Sequence, residues 1–121
     1  MAGLVYRSFD KADETRPFED GKGRLDLFDT DAGPVGRAVF APGWRWSEHV
    51  KPLVGTDSCR SAHTGYVVSG RLMVVMDDGE RGEIGPGDFI QIEPGHDAWV
   101  MGDEPCVALD WTGYGEYAKP R

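Results

Sequence analysis

Residues 71–92 read RLMVVMDDGERGEIGPGDFIQI. Short apolar or alternating runs, Arg71–Met76, Arg81–Ile84 and Asp88–Ile92, are punctuated by Asp77-Asp78-Gly79 and Gly85-Pro86-Gly87. The Asp78-Gly79 pair is a strong hairpin signal, because glycine accepts the positive φ that a tight hairpin turn needs. The run Leu72–Met76 is apolar on both faces, so as a strand it needs cover on both sides. One side faces an interior. The other meets an N-terminal arm, a second sheet or another subunit.

The same pattern extends outward in both directions. Strands are expected at Leu25–Phe28, Gly36–Phe40, Trp44–His49, Gly65–Val68, Ala98–Met101 and Val107–Trp111. Turn residues separate them at Asp31-Ala32-Gly33-Pro34, Ala41-Pro42-Gly43, Ser69-Gly70, Pro94-Gly95 and Gly102-Asp103-Glu104-Pro105. Many short strands at close spacing read as an all-β sandwich or barrel. No segment holds a convincing helical period. Residues 8–24 are polar and read as an irregular arm, which gives an arm over 1–24 and one barrel domain over 25–121. The end of the chain, Gly113–Arg121, is too short and polar to assign.

With 121 residues, 40% hydrophobic and 28% charged, the chain suits one globular core. A formal net charge of −8 disfavours a nucleic-acid partner, since phosphate binding needs a clustered Lys/Arg face, and disfavours an anionic membrane surface. The start MAGLVYRSFDKADETR has no signal-peptide pattern and no stretch is apolar enough to span a bilayer, so a cytoplasmic location is expected. Cys59 and Cys106 form no CxxC pair and are expected to be free thiols, with Cys106 a buried small hydrophobe.

Two stretches carry a family pattern. Gly43 is followed by five residues and His49, and His63 by six residues and Gly70, with Tyr66-Val67-Val68-Ser69-Gly70 as a strand and turn. Gly87-Asp88-Phe89-Ile90-Gln91-Ile92-Glu93-Pro94-Gly95-His96 follows the outline of a second motif. Over roughly residues 36–111 the chain resembles the cupin superfamily. The resemblance implies a cupin-type antiparallel β-barrel, the double-stranded β-helix or jelly roll. It also implies one divalent metal held by two His and a Glu of the first motif and a His of the second. This chain departs from that ligand set: Lys51 stands at the second His, an insertion Pro52–Ala62 follows, His63 stands at the Glu, Glu93 at a Pro, and Ala98 at the second-motif His. His96 lies two residues earlier than that position, on the same face of a strand that has begun there.

All 3 histidines of the chain, His49, His63 and His96, fall inside these motif regions. Converging at one end of the barrel, they would offer imidazole nitrogens, which suit zinc, copper, iron or nickel. Cys59 precedes His63 by four residues, the spacing of the second His to the Glu, and a thiolate from it favours zinc. The expected cofactor is therefore a divalent transition metal, zinc, iron, nickel or manganese, with no nucleotide cofactor. Tyr66 and Trp99 are read as pocket wall. Trp44 and Trp46 share one strand face: if His49 points inward they face outward beneath the arm or a second subunit, and otherwise they are plain core.

Two functions stay open. One is a metal-dependent small-molecule enzyme of oxygenase or isomerase type. The other is a metal-free module that binds or senses a small molecule. A homodimer is expected from the doubly apolar run Leu72–Met76 and the Trp44/Trp46 pair.

Overall fold

The computed structural model describes residues 3–120; Met1, Ala2 and Arg121, within the expected arm and barrel ranges, lie outside the described residues. The strands are β1 (Glu14–Pro17), β2 (Gly23–Thr30), β3 (Gly33–Phe40), β4 (His63–Ser69), β5 (Arg71–Met76), β6 (Arg81–Ile84), β7 (Phe89–Ile92), β8 (His96–Met101) and β9 (Cys106–Asp110). Two short helical turns, α1 (Trp46–His49) and α2 (Lys51–Val54), lie between β3 and β4. One sheet runs β1-β2-β3-β9-β4-β7 and the other β6-β5-β8. Every pairing is antiparallel. The sheets share a core in which Val67, Ile90 and Ala108 of one meet Leu72, Val74, Ala98 and Val100 of the other. This is the jelly-roll barrel the turn pattern implies.

The hairpin quoted first is present as read, with β5 and β6 on their expected bounds. At its tip Gly79 has φ 95, and its N–H donates to the Met76 carbonyl. Strand β5 buries Leu72 and Val74 and leaves Met73 and Val75 half-buried on the outer face. The polar arm is more ordered than expected. Its Glu14–Pro17 pairs with β2 across the register Glu14↔Leu27 to Pro17↔Arg24, so β1 extends the large sheet.

The expected strand Trp44–His49 is a correction. From Trp46 the chain turns helical, with the N–H of His49 donating to the Arg45 carbonyl and that of Val50 to the Trp46 carbonyl. Trp46, His49 and Val50, at helical rather than strand spacing, are the buried residues. Trp44 and Trp46 are both core, each 2% exposed, the plain-core alternative of the two the sequence left open.

The end of the chain is a second surprise. Beyond β9 it crosses one end of the barrel and buries Tyr114, Tyr117 and Ala118. Gly113 lets it do so: a Cβ there would lie 2.0 Å from the Ala62 carbonyl oxygen and 2.7 Å from His63 Nδ1. No helix of the described residues is long and apolar enough to cross a membrane.

Close approach of β4 and β9 depends on Gly65, where an added Cβ would sit 1.9 Å from the Leu109 carbonyl oxygen. Backbone cannot yield as a side-chain tip can. Gly65→Ala is expected to cost about 2 kcal/mol or more and to lower the Tm by about 10 °C. Calorimetry giving an unchanged Tm would show that the two strands have slack at this point.

Candidate functional site

Alternation along three strands builds the site. In β4 the inward residues are His63, Gly65 and Val67; in β8 they are His96, Ala98 and Val100; in β9 they are Cys106, Ala108 and Asp110. Strand β8 begins at His96, so His96 shares the inward face with Ala98, two residues on. Cys59 comes from the loop after α2. Gly55, at φ 77, ends that helix in the left-handed region where glycine is favoured. The chain then runs beside β8: the Cys59 N–H donates to the His96 carbonyl at 2.8 Å and the Gly95 N–H to the Cys59 carbonyl at 2.6 Å. This backbone bridge sets the thiol next to both imidazoles.

The side chains of Cys59, His63 and His96 are all buried, and one donor atom of each lies within 4.8 Å of the others. Cys59 Sγ is 3.7 Å from His63 Nε2. The His63 and His96 rings stand edge to face with centroids 5.4 Å apart. Each imidazole is anchored through its other nitrogen. His63 Nδ1 bonds to Asp110 Oδ2 at 2.5 Å, and His96 Nδ1 donates to the Glu93 carbonyl at 2.8 Å. With Nδ1 of each ring carrying the hydrogen, Nε2 is left as the free lone pair.

Asp110, which sequence reasoning missed, is the anchor of this arrangement. It is 1% exposed, and its Oδ1 accepts from the N–H groups of Thr112 at 2.7 Å and Gly113 at 2.9 Å. Burial works to raise its pKa, yet the hydrogen bonds from His63, Gly113 and Thr112 prevail and hold the carboxyl below its ordinary value. The available signal was period 2: Asp110 falls on the inward row of Cys106 and Ala108, where a lone carboxylate demands a partner. Burial also pushes the Cys59 thiol up to about 11 and Cys106 up to about 12, so both are thiols near neutrality unless a cation claims the sulfur.

The other expected site residues stand elsewhere. His49 is not brought into the cluster. It is buried, but on a helical turn, where its Nδ1 accepts from the Arg45 N–H at 2.9 Å and its Nε2 lies 4.0 Å from an Asp20 carboxylate oxygen. The strand parity that aimed it inward does not apply on a helix. Tyr66 is 42% exposed on the outer face of β4, next to inward Gly65 and Val67. Trp99 is outward on β8, its ring beneath the Arg45 guanidinium at 4.3 Å. Neither lines the cavity beside the imidazoles. The wall is instead Phe40, Trp44, Tyr114 and Tyr117 with aliphatic residues of both sheets, enclosing about 40 Å³ beside His63 and His96. That volume holds a water or a ligand of few atoms. The indole N–H of Trp44, which lines this cavity, is buried with no hydrogen-bond partner among the described residues.

Burial lowers the pKa of His96 from 6.5 to about 4, against the opposing bond to Glu93. The folded value lies below the unfolded one, so both states are neutral above pH 6.5. As pH falls from 6.5 towards 4 the unfolded chain takes up a proton that folded His96 refuses, and stability is lost. The expected loss for metal-free protein is about 3 kcal/mol by pH 4. Urea unfolding at pH 7.5 and 5.0 checks it, above the ordinary values of 3.8 for Asp110 and 4.5 for Glu14, whose lowered carboxyls would add their own effect. His96→Gln should flatten the difference, and a slope that survives the substitution assigns the effect to another group.

Comparison with known proteins agrees with the geometry. Residues 59–112, which hold Cys59, His63, His96 and Asp110, match the family model described as Cupin domain. No curated protein matches the chain in sequence. Solved structures share the fold. A Cupin 2 conserved barrel domain protein from Salinispora arenicola has 21% identity and a TM-score of 0.60, covering 91% of this chain and 90% of that one. An RmlC-like cupin from Shewanella frigidimarina has 15% identity and a TM-score of 0.60, with 93% and 95% covered. The polyketide cyclase RemF from Streptomyces resistomycificus has 17% identity and a TM-score of 0.62, with 91% and 79% covered. Residues 59–112 thus match a Cupin domain, and the barrel as a whole has the fold of these solved cupins.

Proposed function

We propose that the chain is a metal-binding cupin that holds one divalent transition metal through Cys59 Sγ, His63 Nε2 and His96 Nε2 and takes a small molecule in the barrel. The observation that carries the reading is the convergence of one sulfur and two imidazole donors within 4.8 Å in the interior. Their chemistry fits a metal. Bond lengths of about 2.3 Å to sulfur and 2.0–2.1 Å to nitrogen put tetrahedral ligand atoms about 3.6 Å apart, and Cys59 Sγ and His63 Nε2 are 3.7 Å apart. Three protein ligands leave a position free, and a thiolate with two imidazoles favours zinc over iron, nickel or manganese. A metal so held supplies a Lewis acid at that free position.

The chain's own residues do the rest. Asp110 holds the Nδ1–H of His63, and the Glu93 carbonyl holds that of His96, which keeps both Nε2 atoms aimed inward. The aromatic and aliphatic wall confines the space beside the imidazoles to about 40 Å³. The unpartnered Trp44 indole N–H offers a hydrogen bond to an acceptor-bearing ligand in the cavity. An oxygenase- or isomerase-type activity belongs to this reading, but a fold shared by many chemistries does not choose the reaction. Cys59 and Cys106, both free and buried, suit a reducing compartment such as the cytoplasm.

The second reading is a metal-free binding module. It is favoured by the same 3.7 Å contact, because a Cys59 S–H donating to His63 Nε2 is satisfied without a cation. Elemental analysis of protein made without an affinity tag separates the two. The metal reading expects about one metal per chain, lost in Cys59→Ser and His63→Ala and kept in His49→Ala. Asp110→Asn should weaken affinity about 10–100-fold. Metal content indifferent to Cys59, His63 and His96 leaves the module reading in its place.

A homodimer is also proposed, on a face the sequence did not single out. Tyr66, Val68, Phe89 and Trp111 are 42%, 47%, 62% and 44% exposed, and Tyr66 pairs directly with Phe89 across β4 and β7. Such an apolar patch on an outer sheet face suits a second copy. Light scattering is expected to give twice the 13.3 kDa chain mass, and Phe89→Lys to return it to one chain. A monomeric mass at tens of micromolar ends the proposal.

A further inference from the structure

The cluster just described is sealed. Cys59, His63 and His96 are 2%, 7% and 4% exposed, and the space beside the imidazoles is about 40 Å³. Any molecule larger than a few atoms needs part of the wall to move. Two parts of the wall have open space behind them. One is the groove between β6 and β7, which shares Val74, Ile84, Ile90 and Ile92 with the cavity but does not touch Cys59. The other is the chain end beyond Asp110.

That end runs over the barrel mouth as a strap. Tyr114 and Tyr117 stand edge-on to His63, with ring centroids 5.4 Å and 5.2 Å from it. Outside the strap lies a hollow of about 380 Å³, lined by Trp46, Val50, Val54, Cys59, Tyr117 and Lys119 among others. Tyr117 lines both the hollow and the inner cavity, and Cys59 faces the hollow while its sulfur meets His63. Tyr117 is thus the partition between them.

The strap has no strand pairing of its own. Its backbone is held from the opposite end of the sequence by one side chain. Arg16 of β1, 8% exposed, donates through Nη1 to the carbonyls of Tyr114 at 3.3 Å and Tyr117 at 2.8 Å, and through Nη2 to that of Gly115 at 2.9 Å. Glu14 holds the guanidinium in place from its own strand. Ala118 has φ 54, in the left-handed region that alanine rarely adopts, so the docked form carries local strain.

We propose that residues 112–119 are a gate over the Cys59–His63–His96 cluster, with Tyr117 as its leaf and Arg16 as its latch, and that opening joins the outer hollow to the inner cavity. What the gate admits rests on the metal-binding reading; the movement itself does not. Beyond its root at Asp110 the strap is held by the Arg16 guanidinium and the packing of its two tyrosines, ties that open locally at less cost than the barrel unfolds.

The two cysteines report on it. Cys59 borders the outer hollow beside Tyr117, whereas Cys106 is fully buried at the opposite end of β9 from Asp110, where the strap begins. Chelator-treated protein is incubated under native conditions with N-ethylmaleimide, and modification of each cysteine is followed by peptide mass spectrometry. The gate predicts that Cys59 reacts about tenfold or more faster than Cys106, since local opening outpaces global unfolding. Arg16→Gln should accelerate Cys59 about tenfold again and leave Cys106 unchanged. Equal rates at the two cysteines, or a Cys59 rate indifferent to Arg16, overturn the gate; indifference to Arg16 with a fast Cys59 points instead to direct entry from the outer hollow, which Cys59 lines. If Arg16→Gln unfolds the barrel, Tyr117→Ala, which leaves the latch in place, decides: a faster Cys59 beside an unchanged Cys106 supports the gate, and equal rates overturn it. Because the thiol is read in metal-free protein, the gate and the metal reading fail separately.

Discussion

A carboxylate as buried as that of Asp110 costs several kcal/mol unless its lone pairs are filled. One oxygen takes the backbone N–H groups of Thr112 and Gly113 and the other takes His63. Those bonds bend the chain directly after β9, start the strap across the barrel mouth, and fix the ring orientation of His63. The neighbouring glycines serve the same point. Gly65 and Gly36 are the cross-strand partners of Asp110, and Gly113 passes so close to Ala62 and His63 that no side chain fits. Site and closure therefore share one buried charge.

The two ends of the chain then close on each other. Phe18, from the stretch between β1 and β2, stacks with Phe40 at 5.6 Å, tilts against Trp44 at 5.8 Å and meets Tyr117 of the strap edge-on at 6.2 Å. Arg16 binds the strap's carbonyls from the strand just before. Aromatic packing supplies the adhesion, and the guanidinium satisfies carbonyls that would otherwise be buried without donors. A polar arm is thereby drawn into the large sheet although it contributes few core side chains of its own.

The Cys59–His63–His96 cluster departs from the ligand pattern that the cupin resemblance implies. The inward row of β8 carries His96 two residues before Ala98, which stands where the family places its histidine. Moving a ligand by two residues keeps it on the same face and shifts it about 7 Å along the strand. The loop after α2 meets it there: the bridge between Cys59 and His96 brings a thiol beside the displaced imidazole. His63 stands where the resemblance places a carboxylate, and the carboxylate of Asp110 lies behind it.

Period-2 alternation and glycine-centred turns were legible in the sequence because each depends on neighbours a few residues apart. They determined the all-β class, the hairpin of β5 and β6, and the inward face that His63 and His96 share with their strands' core residues. Cys59 was legible as a candidate through its spacing to His63. Local signals could not settle Trp44–His49, where alternation and helical spacing both fit and burial of Trp46, His49 and Val50 together chose the helix. The outward positions of Tyr66 and Trp99 follow from parity once the strand phase is set, and that phase is set by which residues the opposing sheet covers. The anchor Asp110, the latch Arg16 and the strap lay beyond sequence reasoning for one reason. Arg16 and Tyr117 are 101 residues apart, and Asp110 and His63 are 47 apart. The need of a buried charge for a partner is written in its residue type, but the identity of that partner exists only once the barrel has closed.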